Sequence, residues 1–405
     1  MHNLRPGPNR AQLVVLAALS AFGPLSLDMY LPGLPALTRD LHASASAGAL
    51  TITACMIGLG AGQLVAGPAS DGRGRRTPLL AGVAVYCAAS FACAAAPTIG
   101  VLVGLRVVQG MAGGVGIVIA RAIVRDLTGG TVAARLFALL MGITGVVPVC
   151  APLIGGQLLL VSSWRGVFVV LGAIGLPLVI ATAVVLPETL PPDERHRGGL
   201  RAVLSTFGRL SRDRGFAPHA AAFSLSFAAM FGYIAGSSFV FEDLFRTSPQ
   251  LFSAAFALNS CALIAFSLIG GRLVGRMGAR RLLRYGLAGT AVGALAVLAA
   301  ALAHAGLAWF EAGFFVLLAA NGIVIPNGTA AAMDSLTGSL GAASALLGVG
   351  QFGAGAVVAP LVGLGGGHDA LPMAVVIAVS GCAALAVDRA ASRGAEGCPL
   401  SEAIR

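Results

Sequence analysis

Twelve times along the chain an apolar stretch of about 20 residues is closed by a short polar break. A helix of that length crosses a hydrocarbon layer of ~30 Å, and the period-two alternation of a membrane barrel is missing. The stretches run approximately 12 to 36, 47 to 70, 78 to 96, 99 to 123, 135 to 160, 165 to 186, 218 to 240, 250 to 273, 282 to 304, 309 to 333, 342 to 366 and 370 to 389. Charged residues make up 10% of the chain, against about a quarter in soluble domains. The fold class expected is therefore an all-α polytopic membrane protein with 12 transmembrane helices.

The longest polar interval, PETLPPDERHRGGLRAVLSTFGRLSRDRG, separates six spans from six. The expected organisation is an N-terminal bundle over 1 to 186, a cytoplasmic linker over 187 to 217, a C-terminal bundle over 218 to 390 and a tail over 391 to 405. The start, with Arg5 and Arg10 before an apolar run, resembles a signal peptide, but that run continues past Asp28 and reads as the first span. All 26 basic residues are arginine, and 22 of them fall on one side of the membrane if the N-terminus is inside. Short loops rich in positive charge stay cytoplasmic, so both termini are expected there. Because the arginines lie almost entirely between spans, the net charge of +10 speaks for orientation and not for nucleic acid.

The halves echo each other. GPASDGRGRR (67 to 76) and GRLVGRMGAR (271 to 280) share two glycines and an arginine at an offset of 204, and APLIG (151 to 155) returns as APLVG (359 to 363) at an offset of 208. Repeats of about 200 residues holding six spans each keep the same direction through the membrane, which is how transporters built from two related bundles are made.

Several function classes lack their residues. No G-x-x-x-x-G-K-[ST] run is present to bind ATP, no H-E-x-x-H or G-x-S-x-G appears, and the six histidines do not pair at helical spacing within a span. The seven cysteines show neither metal nor disulfide spacing, and six lie in apolar runs, where they read as packing residues. No enzyme, metal or cofactor is expected.

One carboxylate, Asp28 in PLSLDMYLPGL, stands within the first span. A charge at mid-membrane costs ~2.5 to 3.5 kcal/mol on insertion scales, so it normally faces a protein-lined aqueous passage. Asp28 either loads and releases a proton there or serves as a structural carboxylate, bonding backbone or pairing with Arg106. Arg106, inside span four, keeps its charge and cannot carry the proton; it either tunes the carboxylate or tethers helices. Met29, Tyr30, Met230 and Tyr233 suit an adaptable wall around a small apolar substrate, or are plain core. The amides Gln109, Asn259 and Asn321 either line a wet cavity or bridge helices. Glu311, Glu242 and Asp243, at outer span ends, are expected to face water. Pro152 with Gly155 and Gly156 should bend span five and let it pack closely.

The loop Gly67, Asp71, Gly74, Arg75, Arg76 resembles the signature of the major facilitator superfamily, with Gly72 where that signature usually carries arginine. Further matches, LSLDMYLPGLPAL, RVVQGMAGG, ARAIVRDL, PLIGG, YIAGSSFVFED, FALNS, PNGTA and SALLGVGQF, are similar to the bicyclomycin and chloramphenicol resistance (Bcr/CflA) subfamily of drug:proton antiporters. The resemblance spans about residues 12 to 390. It implies two pseudo-symmetric six-helix bundles, proton-coupled efflux of small, largely apolar drugs by alternating access, and a place in the bacterial inner membrane. It implies proton coupling through Arg106 and a latch formed by Gly67, Asp71, Gly74, Arg75 and Arg76 with Arg125 and Asp126 as candidate partners. The glycine-proline pattern of span five is typical of antiporters, although Ala151 replaces a glycine here. The partners expected are a small molecule, protons and the lipid bilayer, with the chain as a monomer. An uncoupled facilitator or a proton symporter on the same scaffold is the competing reading.

Overall fold

Helix α1 (Arg10–Asp28) begins where Asn9 accepts a hydrogen bond from the Gln12 amide while the Gln12 side chain accepts one from the Asn9 amide, a reciprocal cap that fixes the first turn. This computed structural model describes residues 8 to 128, 130 to 195, 200 to 213, 215 to 334, 336, 340 to 365 and 368 to 396. Arg5, Arg405, His2, His196 and Cys398 lie outside the described residues, as does the tail from residue 397.

Among the described residues every regular element is helical. After α1 come α2 (Leu34–Asp40), α3 (Ala45–Arg73), α4 (Arg76–Ala94), α5 (Ile99–Leu127), α6 (Gly130–Val161), α7 (Trp164–Val185) and the short α8 (Leu200–Leu210). The second half holds α9 (Ala217–Phe239), α10 (Pro249–Met277), α11 (Ala279–Leu302), α12 (Leu307–Met333), α13 (Leu340–Val362) and α14 (Leu371–Glu396). Among the described residues, twelve segments are long and apolar enough to cross a membrane. Ser44, Thr98 and Ser163 cap α3, α5 and α7 by accepting from free first-turn amides. Two compact units result, Met1–Ala202 with Arg246–Ala257, and Val203–Phe245 with Leu258–Arg405.

Three details depart from the pattern of apolar runs. The first span is not one helix: α1 stops at Asp28, a 3-10 turn over Leu31–Gly33 follows, and α2 resumes at Leu34. Pro32 and Pro35, which donate no amide hydrogen bond, account for the break. The seventh span runs beyond α9 through a π-helical turn, Val240–Leu244. The interval expected as a plain linker contains α8, with Phe207 and Leu210 buried.

The internal repeat extends to backbone conformation. Gly74 (φ +95°) and Gly278 (φ +77°), matched at an offset of 204, are the positive-φ glycines among the described residues. A side chain there is strained, so both copies of the loop keep glycine where one helix ends and the next begins. Helix contacts repeat too. A Cβ on Gly114 of α5 would collide with the Leu59 carbonyl of α3 and lie 3.0 Å from the Gln63 nitrogen. A Cβ on Gly322 of α12 would collide with the Leu263 carbonyl of α10 and lie 3.0 Å from the Ser267 nitrogen. Each unit thus presses two backbones together through a glycine that admits nothing larger.

Gly114→Ala and Gly322→Ala should each destabilise the protein by about 1–3 kcal/mol through overpacking, whereas Gly60→Ala, which meets nothing within 4 Å, should be silent. Thermal melting of the purified variants in detergent checks this; equal melting of all three would show that the close approaches carry no stability.

Candidate functional site

Arg106 is wholly buried, at 0% exposure, in the middle of the first unit. Its Nη1 donates to Gln109 Oε1 (2.6 Å), Nη2 to the Ser26 carbonyl (2.9 Å) and Nε to the Thr51 carbonyl (3.4 Å). The guanidinium lies 4.4 Å from the ring centre of Tyr30 and 5.5 Å from that of Phe168. Neutral acceptors and two aromatic faces therefore replace its water shell. Hydroxyl groups continue the network: Gln109 donates to Ser90 Oγ (2.8 Å), Tyr30 bonds Thr51 (2.9 Å) and Ser26 bonds Tyr86 (2.5 Å). Ser26, Thr51, Tyr86, Ser90 and Phe168 escaped sequence reasoning because a lone hydroxyl or ring in an apolar helix carries no pattern of its own.

Asp28 is the last residue of α1, at the break, and 6% exposed. Among the described residues no hydrogen bond or ion pair reaches its carboxylate. Pairing with Arg106 is thus not what the structure shows, because the arginine spends its donors on carbonyls and an amide. Met29 and Tyr30 form the turn that follows and are buried. Gly155 of α6 seats this turn: a Cβ there would strike the Met29 carbonyl oxygen. The adjacent Gly156 accepts from Gln250 Nε2 at 2.8 Å, in the first turn of α10, which belongs to the same unit. Pro152 lies inside α6 without ending it.

The remaining amides and aromatics expected around a cavity sit in the second unit. Asn321 is spent between helices: it accepts from Ser226 Oγ (2.7 Å) and donates to the Leu317 carbonyl (2.9 Å) and Thr290 Oγ1 (3.4 Å), joining α9, α11 and α12. Gln109 is likewise spent within the Arg106 network. Asn259 donates to Tyr233 OH (3.1 Å) and to Glu311 Oε2 (3.3 Å). Met230 is buried beside Phe231, which packs on Phe227 and Phe352. The expectation that Glu242 and Glu311 face water is corrected. Glu242 is buried on the π-helical turn, and Glu311, a turn inside α12, is half-buried with its Oε1 sealed from solvent.

Of the residues expected to cluster at the turn between α3 and α4, the structure brings some together. Arg75 is buried and holds Asp71 (2.5 Å), Asp126 (2.9 Å) and Ser70 Oγ (2.8 Å), so α3, α4 and α5 converge on one guanidinium. Gly74 makes the turn, and a Cβ on it would strike the Glu188 carboxylate. Gly67 contributes only its carbonyl, accepting from Ser70 Oγ (2.9 Å). Arg125 is exposed and takes no part. Glu188, missed by sequence reasoning although it is the first acid after span six, accepts from the amides of Arg75 (2.8 Å) and Arg76 (3.2 Å). Arg76 donates to the Ala183 carbonyl (2.5 Å) and Thr189 to Asp126 (3.2 Å). The segment after α7 is thereby stitched to the α3–α4 turn. Partial burial opposes ionisation of Glu188, but the amides of Leu190, Arg75 and Arg76 and the charge of Arg195 outweigh it and hold its carboxyl below the ordinary value of 4.5.

A carboxylate held low stabilises the arrangement that binds its ionised form, so the contribution is whole above pH 4.5 and is lost as pH falls below that. Amide hydrogen exchange of residues 70 to 78 should therefore quicken on acidification below that value, and Glu188→Gln should show the faster exchange at neutral pH. Identical exchange in the variant and the wild type would remove Glu188 from the cluster.

Residues 16–360 match the model of the Major Facilitator Superfamily. The chain is 37% identical over 382 residues to YdgK of Bacillus subtilis, an uncharacterized MFS-type transporter, covering 94% of this chain and 95% of that one. It is 26% identical over 350 residues to a bicyclomycin resistance protein homolog of Haemophilus influenzae, covering 86% and 88%. It is 30% identical to the multidrug resistance protein MdtL of Escherichia coli over 179 residues, covering 44% and 46%. Among solved structures, a bacterial homolog of the human lysosomal transporter Spinster superposes with a TM-score of 0.77 at 16% identity, covering 94% and 96%. The xylose transporter XylE of E. coli does so at 0.72 and 15%, covering 94% and 96%. With twelve candidate spans in two pseudo-symmetric halves, a matching family model over most of its length and the same fold in solved carriers, this chain belongs to the major facilitator superfamily and is a multi-pass membrane transporter.

Proposed function

We propose that the chain exports small, largely apolar drugs in exchange for protons, working by alternating access in the bacterial inner membrane with both termini cytoplasmic. The observation that carries this reading is Asp28, a carboxylate inside the membrane-spanning part of the first unit that, among the described residues, no donor or counter-ion satisfies. Such a group is tolerated where it exchanges a proton with a passage. The broken helix around it supports the reading, because irregular backbone at membrane depth occurs where it lines a cavity. The likeness to a bicyclomycin resistance protein homolog and to MdtL supports drugs as the cargo.

In the cycle we propose, Asp28 is ionised when the site opens inward and drug enters, and takes up a proton when the site opens outward and drug leaves. Coupling requires only that each ligand disfavour the other's occupancy. Arg106 stays charged throughout. Its distance from direct pairing leaves the carboxylate free to change state, while its network fixes the helices that carry the break. The Arg75 cluster stands as a latch at the inner end, released when that end opens.

The test has two steps. A pump-deficient bacterium expressing the chain is screened against chloramphenicol, bicyclomycin and cationic dyes to find a cargo. Everted vesicles energised by an imposed pH gradient are then assayed with that cargo. Asp28→Asn should reach the membrane in normal amount yet lose uphill transport by tenfold or more, and Asp28→Glu should retain part of it. Full coupling in Asp28→Asn would defeat the assignment.

A further inference from the structure

The second unit holds a carboxylate that the cycle above does not use. Glu311 lies in the second turn of α12, and its Oε2 accepts from Asn259 Nδ2 of α10 at 3.3 Å. The same Nδ2 donates to Tyr233 OH of α9 at 3.1 Å, and the Tyr233 ring packs 4.9 Å from that of Phe314. Glu311 Oε1 and Asn259 Oδ1 are both sealed from solvent and, among the described residues, have no hydrogen-bond partner. One donor thus serves the group while two buried acceptors go without.

We infer that Glu311, with Asn259 as its hydrogen-bonding partner, is a second proton-binding site of the transporter, built into the C-terminal half. The inventory of donors and acceptors leads there. An ionised carboxylate beside an amide oxygen offers only acceptors. One proton on Glu311 turns an acceptor into a donor, and a carboxylic acid and a primary amide are complementary, each offering one donor and one acceptor. A carboxylate left ionised and under-donated in an apolar surround carries a large desolvation cost, which that single proton removes.

Among the described residues no cation pairs with Glu311, and Arg246, beside Phe245, is exposed. α9 brings the Tyr233 phenol and, through its π-helical extension, Glu242 and Asp243; its His219 lies near the opposite end. In α11 the ionisable residues Arg280, Arg281, Arg284 and Tyr285 are confined to its first two turns, at the end away from Glu311, and α13 has none. In α10, Arg272 and Arg276 lie in the last turns, leaving Cys261 as the ionisable group near Asn259. Phe310 and Phe314 stand one residue before and three residues after Glu311 on α12, and the rings of Phe245, Phe310 and Phe314 pack in series with centres 5.6 and 6.3 Å apart.

The use of this proton in transport, as one carried in addition to that of Asp28, rests on the proton-exchange reading above; the binding of the proton does not. Infrared difference spectra of the purified full chain between acidic and alkaline buffer read it without any cargo. The wild type should show a carbonyl band of a buried carboxylic acid that Glu311→Gln abolishes and Asp28→Asn leaves in place. Asn259→Leu should shift that band to higher frequency, since the acid loses its amide partner. A carboxylic region unchanged by Glu311→Gln overturns the inference. If Glu311→Gln does not fold, Asn259→Leu decides alone, and an unshifted band overturns it. A Glu311 band present while Asp28→Asn keeps full coupling would sink the exchange scheme and leave this site standing.

Discussion

A permanent positive charge enclosed by apolar helices sets the terms for the first unit. Arg106 cannot shed its proton, and among the described residues no carboxylate pairs with it, so its cost is met by spreading the charge over two carbonyls, an amide oxygen and two rings. Those acceptors come from α1, α3 and α5, and the rings from the turn after α1 and from α7. Removing any one of the three oxygen acceptors leaves a buried donor unserved. Five segments are in this way held in register by one side chain, which is a stricter constraint than apolar packing alone supplies.

That constraint gives the break in the first span its meaning. α1 delivers Ser26 to the arginine and ends two residues later at Asp28; Tyr30, in the turn, lies against the guanidinium. On the other side the turn rests on Gly155 of α6. A carboxylate is therefore presented at a fixed place by neighbours none of which binds it. Rigid surroundings and an acid without a partner suit the proton exchange proposed for it.

Much of this was legible in the residues. Twelve apolar runs, the division into six and six and the repeat at offsets of 204 to 208 describe the helical framework, because lipid imposes length and hydropathy directly on sequence. Asp28 and Arg106 were recognisable because charges are scarce in such runs. Their mutual geometry was not, since whether two groups pair depends on which carbonyls compete for them. The Arg75 cluster was half legible: its arginine and Asp71 are local, whereas Glu188 arrives from more than a hundred residues away. Glu311 was misjudged because its distance from the start of the helix, and not its distance from the last polar residue, decides what it faces.

The matched glycines Gly74 and Gly278 have one more implication. Both copies of the repeat make the same reversed bend, yet at one of them the buried Arg75 holds Asp71 and Asp126, whereas at the other, among the described residues, the ion pair is the exposed one of Arg280 with Asp334 at 3.6 Å. The repeat has thus kept its backbone bend while the side chains that hold each copy have diverged, so a change at one turn has no matching ion pair to disturb at the other.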